Sequence, residues 1–171
     1  MARAPDDVRI ERPTMDDLDA MVDLWVALVA DQRAHDTHLL ADSNRATARD
    51  VLSQYVATER AFVAYLPARD RPVGFVMYHV ETGLYEEDAR RGVLDNVYVV
   101  DGYRGRGIGS ALLDDAEDAL RDSDVDVIGI SVMAGNDRAR ALYERRGYAA
   151  HRHVLEKPAE SDTHTKGGDE P

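Results

Sequence analysis

An α/β fold, with helices packed on one mixed sheet of about six or seven strands, follows from three features of this 171-residue chain. Short apolar runs rich in Val, Ile, Phe and Tyr alternate with segments whose apolar residues recur every three or four positions, the two periods of strands and amphipathic helices. One such run, Leu94 to Val100, leads into Asp101-Gly102-Tyr103-Arg104-Gly105-Arg106-Gly107-Ile108-Gly109-Ser110, a glycine-dense turn that opens a helix. With 44% hydrophobic residues and about four helical segments, the chain has enough apolar material for one domain core.

Val8 to Arg12 forms a first strand, stopped by Pro13, and Thr14-Met15-Asp16-Asp17 makes a capping-box start with acids in the first helical turn. In the helix that follows, Leu18, Met21, Val22, Trp25, Leu28 and Val29 share one stripe and leave Asp16, Asp19 and Asp23 on or near the wet side. A second helix is predicted over Arg45 to Thr58, burying Val51, Leu52, Tyr55 and Val56. Ala61 to Leu66 and Val73 to Val80 read as strands joined by the turn-forming Pro67-Ala68-Arg69-Asp70-Arg71-Pro72. Glu81 to Gly92 is charged and aperiodic, a loop or a distorted strand extension. After the strand Leu94 to Val100, Ile108, Leu112, Leu113, Ala116 and Leu120 mark a helix to about Arg121. A strand over Asp126 to Val132, a helix over Asn136 to Arg146 and a last strand near Ala149 to Glu156 complete the order. Residues 1–156 thus form one domain, while 157–171, dominated by Pro, Ser, Thr, Gly and acids, are expected to be a disordered tail.

The glycine-dense turn is suited to phosphate. A pyrophosphate needs converging backbone N–H donors, an approach free of Cβ atoms and a helix N-terminus whose dipole favours negative charge. Two common nucleotide motifs are excluded: no Lys followed by Ser or Thr closes the turn, as a Walker loop requires, and Gly105-x-Gly107-x-Gly109 is not G-x-G-x-x-G. The pattern Arg104-x-x-Gly107-x-Gly109 after Val97-Tyr98-Val99 instead resembles the acetyl-CoA signature of the GNAT superfamily of N-acetyltransferases. A second block, Asn136 through Ala141-Leu142-Tyr143-Glu144 to Gly147-Tyr148, is similar to that family's "N…A..LYE..GF" segment. Asn136 is suited to cap the helix, Tyr143 lies two turns on along the same face, and Gly147 is the expected stop.

The resemblance implies a mostly antiparallel sheet whose motif strand and its successor splay apart to admit the pantetheine arm of acetyl-CoA. It implies that backbone N–H groups of Val97, Tyr98 and Val99 hold the thioester and pantetheine. Gly105, Gly107, Ile108, Gly109 and Ser110 would cradle the pyrophosphate, with Arg104 and Arg106 adding charge; a solvated basic turn is the alternative for the arginines. Asn136 would contact the cofactor as well as cap its helix. Acetyl transfer to an amine needs a neutral amine, a positioned carbonyl, oxyanion stabilisation and a proton for the departing thiolate. Tyr143 is the expected general acid, against the alternative of an aromatic core residue at helical spacing. Asp95 stands where many relatives carry a glutamate base; it would accept the proton through water, or only attract a cationic amine. The chain has no cysteine, which excludes an acyl-cysteine route and thiolate metal sites and leaves direct attack by the amine.

His35, Asp36 and His38 superficially suggest a metal cluster, but a loop bordering the acceptor site is the expected setting, and no metal is expected. His151 and His153 would share the solvent face of the last strand. The net charge of −12 argues against nucleic-acid binding. No apolar run is long enough to span a membrane and Asp6 and Asp7 replace a leader's basic start, so a cytoplasmic location is expected. The acids are 23 Asp to 10 Glu and the bases 19 Arg to 2 Lys. This balance resembles cytosolic proteins of halophiles; a high-GC genome accounts for Arg over Lys but not for the aspartates.

The expected activity is therefore transfer of acetyl from acetyl-CoA to a small-molecule or peptide amine, with a homodimer left open. The alternatives are a protein-directed enzyme of the same fold and a non-catalytic acyl-CoA-binding or regulatory module.

Overall fold

Five strands run side by side in chain order: β1 (Arg9–Glu11), β2 (Ala61–Tyr65), β3 (Gly74–Val80), β4 (Arg91–Val99) and β5 (Val127–Ile130). The computed structural model describes residues 8–67 and 69–159. From Glu160 onward the expected tail lies outside the described residues. The pairings from β1 through β4 are antiparallel and β4–β5 is parallel, as a mixed, mostly antiparallel sheet requires. Among the described residues four α-helices accompany it: α1 (Leu18–Gln32), α2 (Arg45–Ala57), α3 (Ile108–Arg121) and α4 (Asp137–Arg145).

The count of five corrects the expected six or seven. Ala149 to Glu156 forms no strand, and its side chains are exposed, Leu155 at 91%. The reason lies in its pattern: Val154 and Leu155 fall on opposite faces of an extended chain, and His151, Arg152 and His153 fill the rest. Neither face has enough apolar area to offset the cost of ordering the segment. His151 and His153 are exposed on irregular chain, not on a strand face.

Alternation along the strands makes two cores. Val63, Phe75, Met77 and Tyr98 pack under α1 and α2 with Leu18, Met21, Leu52 and Val56. Ala64, Val76, Leu94 and Val99 turn to the other face, against Ile108, Leu112, Leu113 and Leu120 of α3. Within α2, Leu52 and Val56 are buried, Tyr55 is half-buried and Val51 is exposed, so the predicted stripe is narrower than expected. The capping box ahead of α1 forms as read: Thr14 and Asp17 bond to each other's backbone. Among the described residues no helix is long and apolar enough to cross a membrane.

Two irregularities in β4 shape the site. Met77 pairs with Asn96 but Tyr78 pairs with Leu94, leaving Asp95 as the extra residue of a β-bulge. The β4–β5 pairing ends at Leu94–Ile130, while β4 continues to Val99. The bulge therefore sits where the two parallel strands part.

Candidate active site

Beyond Leu94, β4 is paired with β3 alone, so one edge of its backbone from Asp95 to Val99 lacks a strand partner among the described residues. Such N–H and C=O groups need hydrogen bonds from elsewhere. A ligand carrying amides fits that edge. The side chains here are already committed: Tyr98 and Val99 are buried in opposite cores, and Val97 packs toward α3. What Val97, Tyr98 and Val99 can offer a ligand is main chain.

The edge continues through a turn at Asp101–Tyr103 into the glycines. Gly105 and Gly107 have φ of 77° and 81°, a region that side chains with a Cβ enter only with strain. Gly107 is the residue before α3, whose buried Ile108 anchors the first turn. The first-turn amides of Ile108, Gly109 and Ser110 have no carbonyl within the helix to bond. That first turn carries no acidic side chain of its own to offset the dipole.

The two arginines of the turn differ. Arg104 is tied inward: its Nε donates to the Val99 carbonyl at 2.7 Å, and its guanidinium pairs with Asp31 of α1 and with Asp101 at 3.3 Å. It also lies over the Tyr98 ring at 5.3 Å. Arg104 thus clamps the turn to α1 and β4, its charge shared with two carboxylates. Arg106 is exposed, resting against the Tyr103 ring at 5.5 Å, and has no ion-pair partner among the described residues. Its charge remains available to an anion.

On α4, Asn136 caps the helix by accepting from the Ala139 amide at 3.1 Å. Tyr143 meets Tyr148 edge to face, with ring centroids 5.9 Å apart. Burial pushes the Tyr143 phenol up to about 12, so the group carries its proton throughout the neutral range. The described residues give its hydroxyl no hydrogen-bond partner, which leaves that proton free for a ligand.

Glu117 of α3 holds α4 in place. Only 6% exposed, it accepts from Arg146 Nε at 3.1 Å, Arg146 Nη2 at 2.9 Å and Tyr148 Oη at 2.9 Å. Burial alone would lower the Arg146 pKa, but the Glu117 and Asp114 carboxylates outweigh it and raise it. Removing one partner of such a pair leaves an uncompensated buried charge. Glu117→Ala is expected to cost about 3 kcal/mol of stability or more, read as a lowered urea midpoint at an unchanged slope.

Asp95 opens on the opposite face of the sheet. Its Oδ2 accepts from Tyr55 Oη of α2 at 2.9 Å and is bonded to His79 Nδ1 of β3 at 2.8 Å. Burial, then the hydrogen bond and charge of Asp95, raise the Tyr55 pKa well above the ordinary tyrosine range. Asp95 directly follows Leu94, the last β4 residue paired with β5.

His79 was not singled out from sequence, and Tyr55 was read only as a buried position of the second helix. His79 had a signal, being the polar interruption of the apolar run Phe75 to Val80, but its relation to Asp95 depends on strand register and the bulge. His35 and His38 do not come together on a metal: among the described residues no group of three or more His, Cys, Asp or Glu could hold one. His38 Nε2 reaches Glu156 at 3.0 Å on the surface. A Cβ on Gly135 would lie 3.6 Å from His35 Nδ1, so the segment after α1 borders the loop that precedes α4.

The profile of the acetyltransferase (GNAT) family matches residues 23–148, which hold both the glycine turn and the Asn136–Tyr143 block. The chain is 28% identical over 149 residues to a mycothiol acetyltransferase of Propionibacterium freudenreichii, covering 86% of this chain and 45% of that protein. It is 46% identical over 61 residues to a mycothiol acetyltransferase of Beutenbergia cavernae, covering 36% of this chain and 20% of that one. The chain thus spans less than half the length of these two relatives. In fold it superposes on an aminoglycoside N-acetyltransferase solved in complex with CoA, with a TM-score of 0.69 at 11% identity over 90% of this chain and 95% of the other. With the family profile covering most of its length, this chain belongs to the GNAT acetyltransferase family.

Proposed function

We propose that this protein transfers an acetyl group from acetyl-CoA to a primary amine by direct attack through a tetrahedral intermediate. One observation carries the reading: the edge of β4 that has no strand partner among the described residues runs directly into a left-handed glycine turn at the N-terminus of α3. An extended donor needs that sequence of features, main-chain partners for its amides and then a dipole and free N–H groups for its pyrophosphate. Gly105, Gly107, Ile108, Gly109 and Ser110 make the cradle, Arg106 adds free charge, and Arg104 holds the turn in shape. The β4 amides near Val97, Tyr98 and Val99 hold pantetheine and the thioester carbonyl, polarising it where negative charge develops. Asn136 sets the start of α4, and Tyr143 on that helix gives its proton to the departing thiolate. Asp95 serves the acceptor side, where the incoming ammonium must lose a proton.

The acceptor is a small amine, and aminoglycosides belong in the test because a protein of the same fold is named for them. Thiol release from acetyl-CoA is measured against a panel of amines, with product mass as the second readout. Amine-dependent CoA release with a mass gain of one acetyl group is expected. Tight acetyl-CoA binding with no turnover on any amine would instead make the chain an acyl-CoA-binding module.

The aspartate-rich, lysine-poor surface, with its net charge of −12, is read as adaptation to high salt. Screening shortens the reach of like-charge repulsion from about 10 Å at 0.1 M to about 3 Å at 1 M salt. Both Tm and kcat should therefore rise across that range of KCl; a flat or falling response would reject the adaptation.

A further inference from the structure

We propose that His79, held by Asp95, is the general base that deprotonates the incoming ammonium, and that Asp95 is a positioning residue rather than the proton acceptor. The inference rests on the acetyltransferase reading and assigns the base within that site. Asp95 is the extra residue of the β4 bulge, and a bulge re-aims a side chain out of the ordinary alternation. Its Oδ2 is already occupied by two groups, Tyr55 Oη at 2.9 Å and His79 Nδ1 at 2.8 Å.

A carboxylate can only accept, so in the neutral His79 ring the proton lies on Nδ1 and the lone pair on Nε2. Among the described residues Nε2 has no partner, and the side chain is 32% exposed, open enough for a substrate to reach. Asp95 bonds the ring from β4, with Tyr55 of α2 on the same carboxylate oxygen, and His79 itself lines a cleft whose charged groups are Arg12, Glu59, Arg60 and, from α3, Asp115, Asp118 and Asp122. A base oriented by a carboxylate on its far nitrogen is the arrangement that fixes the tautomer and stabilises the imidazolium once formed. Tyr55 serves as the second anchor of that carboxylate.

An ammonium R–NH3+ gives one proton to His79 Nε2, and the neutral amine attacks the thioester carbon to form a C–N bond and a tetrahedral oxyanion. As the oxyanion collapses, the C–S bond breaks and the thiolate takes the Tyr143 proton. The second nitrogen proton passes through solvent to restore Tyr143, and His79 releases its own to solvent. The products are the amide, the CoA thiol and one proton.

The test separates a base from a structural pair by varying the basicity of the acceptor. Steady-state rates are measured with a primary alkylamine, ammonium at neutral pH, and with the matching hydrazide, which is already neutral. His79→Gln is expected to lower kcat by about 10²-fold on the alkylamine, the range of general base catalysis, and far less on the hydrazide. Asp95→Asn should show the same selectivity, since its amide can donate and favour the wrong tautomer. Acetyl-CoA Kd and Tm should stay close to the native values in His79→Gln. Equal losses on both acceptors, or no loss, would overturn the inference while native turnover keeps the acetyltransferase reading intact. A native protein that acetylates no amine would overturn both.

Discussion

Replacing Gly107 by valine is expected to abolish acetyl-CoA binding while the sheet and its helices stay folded. At φ of 81°, Gly107 is held in the left-handed region immediately before α3. An ordinary L-residue pays roughly 1–2 kcal/mol there, and a β-branched one more, so the turn will relax toward another conformation. Relaxation rotates the amides of the first turn away from the pyrophosphate. Hydrogen bonds to charged groups contribute about 1.5–3 kcal/mol each, so losing two raises Kd by roughly 10²- to 10⁴-fold. Gly105→Ala provides the contrast: φ is 77°, but a Cβ there would meet nothing within 4 Å. Its effect should be limited to backbone strain of about 1 kcal/mol, or several-fold in Kd. Isothermal titration with acetyl-CoA measures both, and near-native binding by Gly107→Val would refute the pyrophosphate assignment.

Tyr143→Phe should lower kcat by about 10²-fold or more, with acetyl-CoA Kd within a few-fold of native. The variant keeps the ring that packs edge-on against Tyr148 and removes only the hydroxyl. A structural aromatic would be indifferent to this change, whereas a proton donor to the thiolate would not. The pH dependence has a definite sign. Burial raises the phenol to about 12, so the proton is present, and available to the leaving group, beyond the ordinary tyrosine value near 10. By linkage, the stability gained from burying the neutral phenol is complete below about pH 10 and is lost as the pH rises toward 12. Native kcat should therefore show no alkaline limb from Tyr143 near pH 10. Unchanged turnover in Tyr143→Phe would remove the acid role.

The local conformation of these residues was legible because it is set within short segments. A glycine that must turn left-handed, an asparagine that caps and a tyrosine two turns later are spacings within one short segment. The helices and inner strands were legible for the same reason, each carrying its own hydrophobic period. The last strand was misread because Val154 and Leu155 suggest β-structure locally while offering no face to bury. Arg104 shows another boundary: its place in the motif suggests a free cation, but Asp31, far away in sequence, shares its charge.

The amino-acid sequence by itself determined the α/β order, the left-handed glycine turn and the Asn136–Tyr143 helix, since backbone conformation and short-range periodicity decide each of them. Tertiary structure alone decided that β4 bulges at Asp95 and parts from β5 after Leu94, and that Asp95 meets His79 and Tyr55. Those depend on register between strands, and a one-residue shift in register changes which side chains share a face. No pattern within a single segment encodes that shift, because it is set by the cores on both sides of the sheet packing at once.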